Sequence, residues 1–282
     1  MTDVGDFWGL WSPYLSYFED MFLDVESINQ LKAIVADPVL VVGGGQGLLV
    51  GELRKNGFTV DGVDSEPRMI EFAEKRRGLK LIHADGAELP FADNSYNTSI
   101  VATGVIDFLD DEDLIRAIAL EALRVTDDAG TVLVAFYRLH PKVEQLMRYM
   151  GTMTETDLWC YRRTLDMLRR RPWDFFVALK NDPDISTFGA LLALTKTQLL
   201  LPRKEKKASR NWRKGWKKAS QELDNPEALI RGAPEFLPYR GQEQIRNLFK
   251  ELDIPVRKTL VLDSCVVAQI GQTPRHDPQP AP

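Results

Sequence analysis

Between residues 39 and 137, short and nearly continuous apolar runs alternate with stretches of helical period. Val39–Val42, Thr59–Asp64, Leu79–Ala84, Thr98–Thr103 and Thr131–Tyr137 read as strands. Leu48–Asn56, Pro67–Arg77 and Asp113–Val125 read as helices, with Gly57 and Gly78 placed to end the first two. Leu114, Ile118 and Leu123 fall along one side of the third helix. Strands that are apolar on both sides and separated by helices predict a parallel sheet covered on both faces. Upstream, Ser12-Pro13 reads as a helix start, and Tyr14, Leu15, Phe18, Met21, Phe22 and Val25 follow as a helical stripe. Ile28, Leu31, Ile34 and Val35 continue a second short helix, which Asp37-Pro38 should stop.

The alternation then lapses. Residues 141–240 read as helices without a strand, and the pattern resumes with a helix at Gln242–Leu252 and strands at Val256–Leu260 and Ser264–Ile270. Asp263 between those strands predicts an antiparallel hairpin. Four regions follow: an N-terminal helical cap at 1–38, a sheet domain at 39–140 and 241–270, a helical insertion at 141–240, and a Pro-rich tail at 271–282 expected to be disordered.

Charge separates the insertion from its frame. Residues 141–240 hold 20 Lys and Arg against 12 Asp and Glu, a charge of +8; the rest of the 282-residue chain holds 16 against 29, a charge of −13. Two cysteines, Cys160 and Cys265, offer neither a disulfide framework nor metal-ligand spacing, so no metal is expected and a reducing, cytoplasmic setting is the default. No cationic, apolar leader opens the chain, and no apolar run reaches the roughly 18–20 residues that cross a bilayer.

The chemistry concentrates in "VLVVGGGQGLLVGEL", residues 39–53. A strand, a glycine turn and a helix start present backbone N–H groups to a ligand. No Lys-Ser or Lys-Thr follows the glycines, so a phosphate loop is excluded. The dinucleotide spacing G-x-G-x-x-G fails too, because its last glycine would fall on Leu48 or Val50. The spacing present is Gly43-x-Gly45-x-Gly47. Further on, "VDGVDSEPRMIEFAEKR" ends a strand on Asp64, "LIHADGAELPFADNSYNTSIVATG" ends one on Ala84-Asp85, and "EALRVTDDAGTVLVAF" places Glu121 and Arg124 on a helix before the fifth strand.

This ordered series resembles class I S-adenosylmethionine-dependent methyltransferases, in their type-11, ubiquinone-biosynthesis-like branch. The resemblance covers 39–137 and 241–270 and leaves 141–240 unmatched. It implies an α/β fold: a doubly wound, seven-stranded, Rossmann-like sheet with the last strand antiparallel, and an α-helical insertion between the fifth strand and the final helix. It implies S-adenosylmethionine as cofactor and S-adenosylhomocysteine as product. The ligand loop falls on Gly43, Gly45 and Gly47, the ribose-binding acid on Asp64, and the adenine-binding acid on Asp85 with Gly86 and Ala87 lining the ring. Ser65 would cap the next helix, and the segment from Thr103 to Phe108 would lie beside the methionine part. The family usually carries an acid at the position of Val41, which helps hold the cofactor's amino group, and often a His where this chain has Asp107-Phe108. The ammonium would then be held by the Thr103 carbonyl or by a hydroxyl of the N-terminal helix, or the cofactor would bind weakly.

Methyl transfer from a sulfonium needs a base only when the acceptor must lose a proton. His140, just after the fifth strand, Asp107 and Tyr14 are the expected catalytic candidates; His140 could equally cap the turn with Pro141. Trp8, Trp11 and Tyr14 are expected to close over the sulfonium. The acceptor is expected to be a small apolar or lipid-like molecule under a lid formed by 141–240. Residues 186–220 are expected to touch a membrane surface peripherally, since "STFGALLALTKTQLLLP" precedes nine Lys and Arg in 203–218 with Trp212 and Trp216. The competing readings are a nucleic-acid methyltransferase using 203–220, which the overall acidity opposes, and a non-catalytic cofactor-binding protein.

Overall fold

Alternating side chains on one strand serve two different layers, and this settles the architecture. A computed structural model describes residues 25–109, 111–137, 242–262 and 265–271, together with Lys214, Lys218 and Gln221. The described elements are α1 (Val25–Lys32), β1 (Val39–Val42), α2 (Leu48–Lys55), β2 (Val60–Asp64), α3 (Pro67–Arg77), β3 (Ile82–His83), β4 (Tyr96–Val101), α4 (Glu112–Val125), β5 (Thr126–Tyr137), α5 (Gln242–Glu251), β6 (Val256–Val261) and β7 (Cys265–Ile270). They build one seven-stranded sheet in the order β3-β2-β1-β4-β5-β7-β6. Strands β1 to β5 pair in parallel, and β7 runs antiparallel to both β5 and β6. The expected doubly wound sheet with its last strand reversed is the fold observed.

Val39 and Val41 of β1 pack with Ile28, Leu31, Leu49, Val50 and Leu53 from α1 and α2. Leu40 and Val42 face the other way, onto Ile115, Ile118, Ala119 and Ala122 of α4 and Phe249 of α5. A strand buried on both faces has no polar side to show, hence "VLVV". The buried face of α4 is Ile115, Ile118, Ala119, Ala122 and Val125, one step round from the expected stripe; Leu114 and Leu123 flank it. The two alanines let the helix lie close to the sheet, and an apolar count that favours leucines misplaces the face.

The strand boundaries differ most from expectation at β3, β4 and β5. β3 is only Ile82–His83, an exposed edge pair, because Leu79 and Leu81 turn inward onto the glycine loop and Gly62. β4 begins at Tyr96 and ends at Val101, two residues early at each end. β5 begins at Thr126, directly after α4, and absorbs the expected turn at Gly130 through a register irregularity opposite Tyr96 and Thr98. The chain divides into two compact units, one of residues 1–13, 22–138 and 240–282 and one of 14–21 and 139–239. The expected lid, the N-terminal aromatic segment with Tyr14, His140 and the tail beyond Gly271 lie outside the described residues. From the basic stretch 203–220, Lys214 and Lys218 are described as exposed helical positions.

Candidate active site

The site grows from the end of β1. Gly43, Gly45 and Gly47 all adopt left-handed backbone, with φ of 75°, 54° and 77°. Their surroundings differ in a way the spacing alone does not reveal. A Cβ on Gly43 would lie 2.1 Å from Cγ2 of Val105, so this glycine is demanded by packing. A Cβ on Gly45 would meet nothing within 4 Å, so this glycine opens onto free space. The loop is pinned from below by Gly44 N–H to the Val63 carbonyl at 2.8 Å and Gly47 N–H to the Gly44 carbonyl at 2.8 Å. Helix α2 then starts at Leu48 with Gly47 as its N-cap and no side-chain cap, which leaves its first N–H groups at the loop.

Asp64 closes β2 beside this opening. Its Oδ2 accepts the Gly45 N–H at 2.7 Å and its Oδ1 accepts the Glu66 N–H at 2.9 Å. A carboxylate oxygen has two acceptor positions, so each can take one more donor. Two vicinal hydroxyls match that capacity. Burial pushes the Asp64 carboxyl above its ordinary value of 3.8, while the Glu66 and Gly45 N–H bonds and the nearby His83 pull against it. Ser65, expected to cap the next helix, does not: Glu66 is the N-cap of α3, accepting the Arg68 N–H at 3.2 Å. Pro67 at the first helical position holds Glu66 extended, and the cap moves to that residue. Ser65 is exposed and offers its carbonyl to His83 Nε2 at 3.1 Å.

The raised Asp64 pKa sets a testable pH dependence. Hydroxyl donors need the ionised carboxylate, so an adenosine ligand should lose affinity as pH falls through that raised value, above 3.8, and its binding should release protons. The sign for folding is opposite: Asp64 contributes most below its unfolded value and less as pH rises through the folded one. Calorimetry in buffers of different ionisation heat reads the proton release, and Asp64→Asn should remove it.

Asp85 follows β3 with its Oδ1 accepting the Ala87 N–H at 2.9 Å. The chain reaches it through the Ala84 N–H bonded to the Asp64 carbonyl at 3.1 Å. A Cβ on Gly86 would stand 3.0 Å from Val42 Cγ1, so Asp85–Ala87 lies against the end of β1. The glycine loop, Asp64 and Asp85–Ala87 therefore share the C-terminal edge of the central strands, where open α/β sheets place ligands. Two braces behind this edge are visible only in three dimensions. Arg124 donates to Glu121 at 2.7 and 2.8 Å, to the carbonyls of Leu89 at 3.0 Å and Phe91 at 2.8 Å, and to Asp93 at 2.7 Å. Glu121 in turn accepts the Leu89 N–H at 2.8 Å. The Arg124 bond holds the Glu121 carboxyl below its ordinary range. This pair, which the sequence marks only as helical, fixes the loop that leaves Asp85.

The second brace is Asp107. Expected as a base, it is 1% exposed, and its oxygens accept the Gly104 N–H at 2.9 Å and the Tyr137 N–H at 3.1 Å. That geometry ties the turn after β4 to the end of β5. Thr103 stands in the same turn, which meets the glycine loop through the Ala102 N–H to the Val42 carbonyl at 2.9 Å and through Val105 against Gly43. Val41 is fully buried in the core with Val39 and Leu49, so β1 supplies no charge to the site.

Residues 39–130 match a family model described as a methyltransferase domain. Over this segment the chain is similar to methyltransferase domains. Such domains use S-adenosylmethionine, and the open side of Gly45 beside the two Asp64 oxygens fits its ribose. The chain is 31% identical over 133 residues to a demethylmenaquinone methyltransferase of Corynebacterium efficiens, covering 47% of this chain and 56% of that protein. A demethylmenaquinone methyltransferase of Corynebacterium glutamicum is 30% identical over 133 residues, with coverage of 47% and 56%. The chain thus spans about half the length of the curated relatives it matches. A solved structure from Rhodobacter sphaeroides, described as a zinc-dependent alcohol dehydrogenase, covers 97% of this chain and 99% of its own at a TM-score of 0.53 and 15% identity. That likeness is one of fold. Among the described residues, no cluster of three or more His, Cys, Asp and Glu could hold a metal ion.

Proposed function

We propose that the chain transfers the methyl group of S-adenosylmethionine to a small apolar or lipid-like acceptor. The observation that carries this reading is the Gly45–Asp64 pair, an open glycine bonded at 2.7 Å to a half-buried carboxylate. When bound, the cofactor supplies a methyl group on a positively charged sulfur, which passes in line to the acceptor and leaves a neutral thioether. The residues of this chain then have three tasks. The loop from Gly43 to Gly47 and Asp64 would seat the nucleoside, Asp85–Ala87 would border the base, and Thr103–Gly104 would border the amino-acid end. Such alignment can supply several kcal/mol of the barrier, about 7 or more in well-oriented cases. No step requires a metal in this scheme.

The apolar acceptor rests on two supports. The matched relatives carry names that specify demethylmenaquinone, and the 141–240 insertion pairs an apolar segment with a basic one. Among the described residues no helix is long and apolar enough to cross a membrane. The test is turnover with methyl-labelled S-adenosylmethionine and chemically reduced demethylmenaquinone in anionic vesicles, since the methyl group goes to the nucleophilic ring of the quinol, which loses a proton to solvent. Label in the quinone, reduced when salt releases the protein from the vesicles, is the expected result. Label in added RNA with none in the quinone would overturn the acceptor assignment.

A further inference from the structure

His83 ends β3 at the exposed edge of the sheet, next to the strand that carries Asp64. In the parallel ladder its Cα partner is Asp64, so the two side chains leave the same face of the sheet. The ring is tethered there. Its Nε2 donates to the carbonyl of Ser65, the residue after Asp64, at 3.1 Å. A carbonyl oxygen only accepts, so Nε2 carries a proton in either charge state and Nδ1 takes up the second. The residue after His83 bonds in turn to Asp64, through the Ala84 N–H to the Asp64 carbonyl at 3.1 Å. These two bonds fix the imidazole beside the carboxylate.

Among the described residues, the charges that act on Asp64 are Glu66, which opposes its ionisation, and His83, which favours it. Glu66 stands at the start of α3, bonded to Arg68 at 2.7 Å. The other charges of α3, from Glu71 to Arg77, begin a turn beyond that cap. On β2 the remaining acid, Asp61, is three residues away and is bonded to the Tyr96 hydroxyl at 2.9 Å. Lys80 and Asp85 flank His83 in its own segment, both exposed. Hydroxyl donors bind an ionised carboxylate more strongly than a neutral one, and burial works against that ionisation. An imidazole takes up a proton as pH falls from neutral into the acid range. Its charge therefore appears where Asp64 would otherwise lose its own.

We infer that His83 is a positioning residue for the ribose site: as an imidazolium it holds Asp64 in the ionised form that the two hydroxyls need, and so extends cofactor binding to lower pH. The inference rests on the proposed cofactor reading, since His83 has this task only if a ribose sits on Asp64. Its consequence is selective in pH. Near pH 8 the imidazole is dispensable, because Asp64 is ionised without help. On the acid side its removal lets Asp64 protonate earlier, and affinity is lost at a higher pH.

The experiment titrates S-adenosylhomocysteine into the full chain by calorimetry, from about pH 8 to about pH 5, for the wild type, His83→Gln and His83→Lys. Glutamine can still donate to the Ser65 carbonyl but never charges, while lysine stays charged throughout. The side chain is exposed on a two-residue edge strand, so both variants should fold. At the upper pH the wild type and His83→Gln should agree within about twofold. At the lower pH His83→Gln should bind about three- to tenfold more weakly than the wild type, and His83→Lys should stay within about twofold of it. Added salt should narrow the gap, because the charge is exposed. A merely structural contact would act alike at every pH. Wild-type and His83→Gln profiles that coincide, or that differ by one constant factor throughout, therefore overturn the inference. Wild-type protein that binds the ligand at no pH would instead overturn the cofactor reading on which it stands.

Discussion

Gly43→Ala should abolish cofactor binding and lower folding stability by roughly 2–5 kcal/mol. Holding a non-glycine residue at a φ of 75° costs about 1–2 kcal/mol. The new methyl would stand 2.1 Å from Val105 Cγ2, and such overpacking adds about 1–3 kcal/mol. Valine is stiff at χ1 and its backbone lies in the turn that Asp107 holds, so the strain passes into Thr103–Asp107. Gly45→Ala is the matched control. It bears a similar backbone strain at a φ of 54° but meets no atom within 4 Å. Its stability should fall less, by about 1–2 kcal/mol, while its methyl enters the open cradle and weakens binding. Denaturant unfolding with calorimetry on both variants separates packing from ligand space. Equal stability loss in the two would contradict the different roles given to these glycines.

Arg124→Ala should lower stability by about 2–4 kcal/mol, after allowance for solvent at a side chain that is 32% exposed. The guanidinium is bonded to two carboxylates and two backbone carbonyls at once, so its loss leaves Glu121 beside uncompensated carbonyls. Lysine cannot replace the fork, so Arg124→Lys should recover only a minor part. The effect should also reach the ligand, because the segment from Leu89 to Asp93 follows directly on Asp85–Ala87. Thermal unfolding and adenosine-ligand affinity measured together would check it; a loss of stability with ligand affinity intact would detach the brace from the site.

The sheet was legible because each central strand is buried on both faces, and burial of that kind writes an unbroken apolar run. Val39–Val42 and Pro67–Arg77 were located to the residue for this reason and for the proline and glycine that bound the helix. Boundaries failed where a tertiary contact outweighs local pattern. Leu79 and Leu81 look like strand residues but pack inward over glycines, which shortens β3 to two residues. Gly43, Asp64 and Asp85 stand out in the sequence because each lies at or just after the end of an apolar run; in the structure Asp64 ends β2, while Gly43 and Asp85 follow β1 and β3. The packing of Gly43 against Val105, the move of the α3 cap to Glu66 and the bonds of Asp107 are not visible in the sequence, since each depends on a partner or a backbone geometry that spacing does not encode.

The central claim is that an adenosine cofactor sits in the open cradle of Gly45 with its ribose on Asp64. Titration calorimetry of S-adenosylmethionine into the wild-type chain and into Asp64→Ala tests it most directly. Loss of a charge-assisted acceptor is worth roughly 1.5–3 kcal/mol, so the account predicts measurable binding to the wild type and about ten- to hundredfold weaker binding to the variant. Equal affinities, or no binding to either protein, would contradict it.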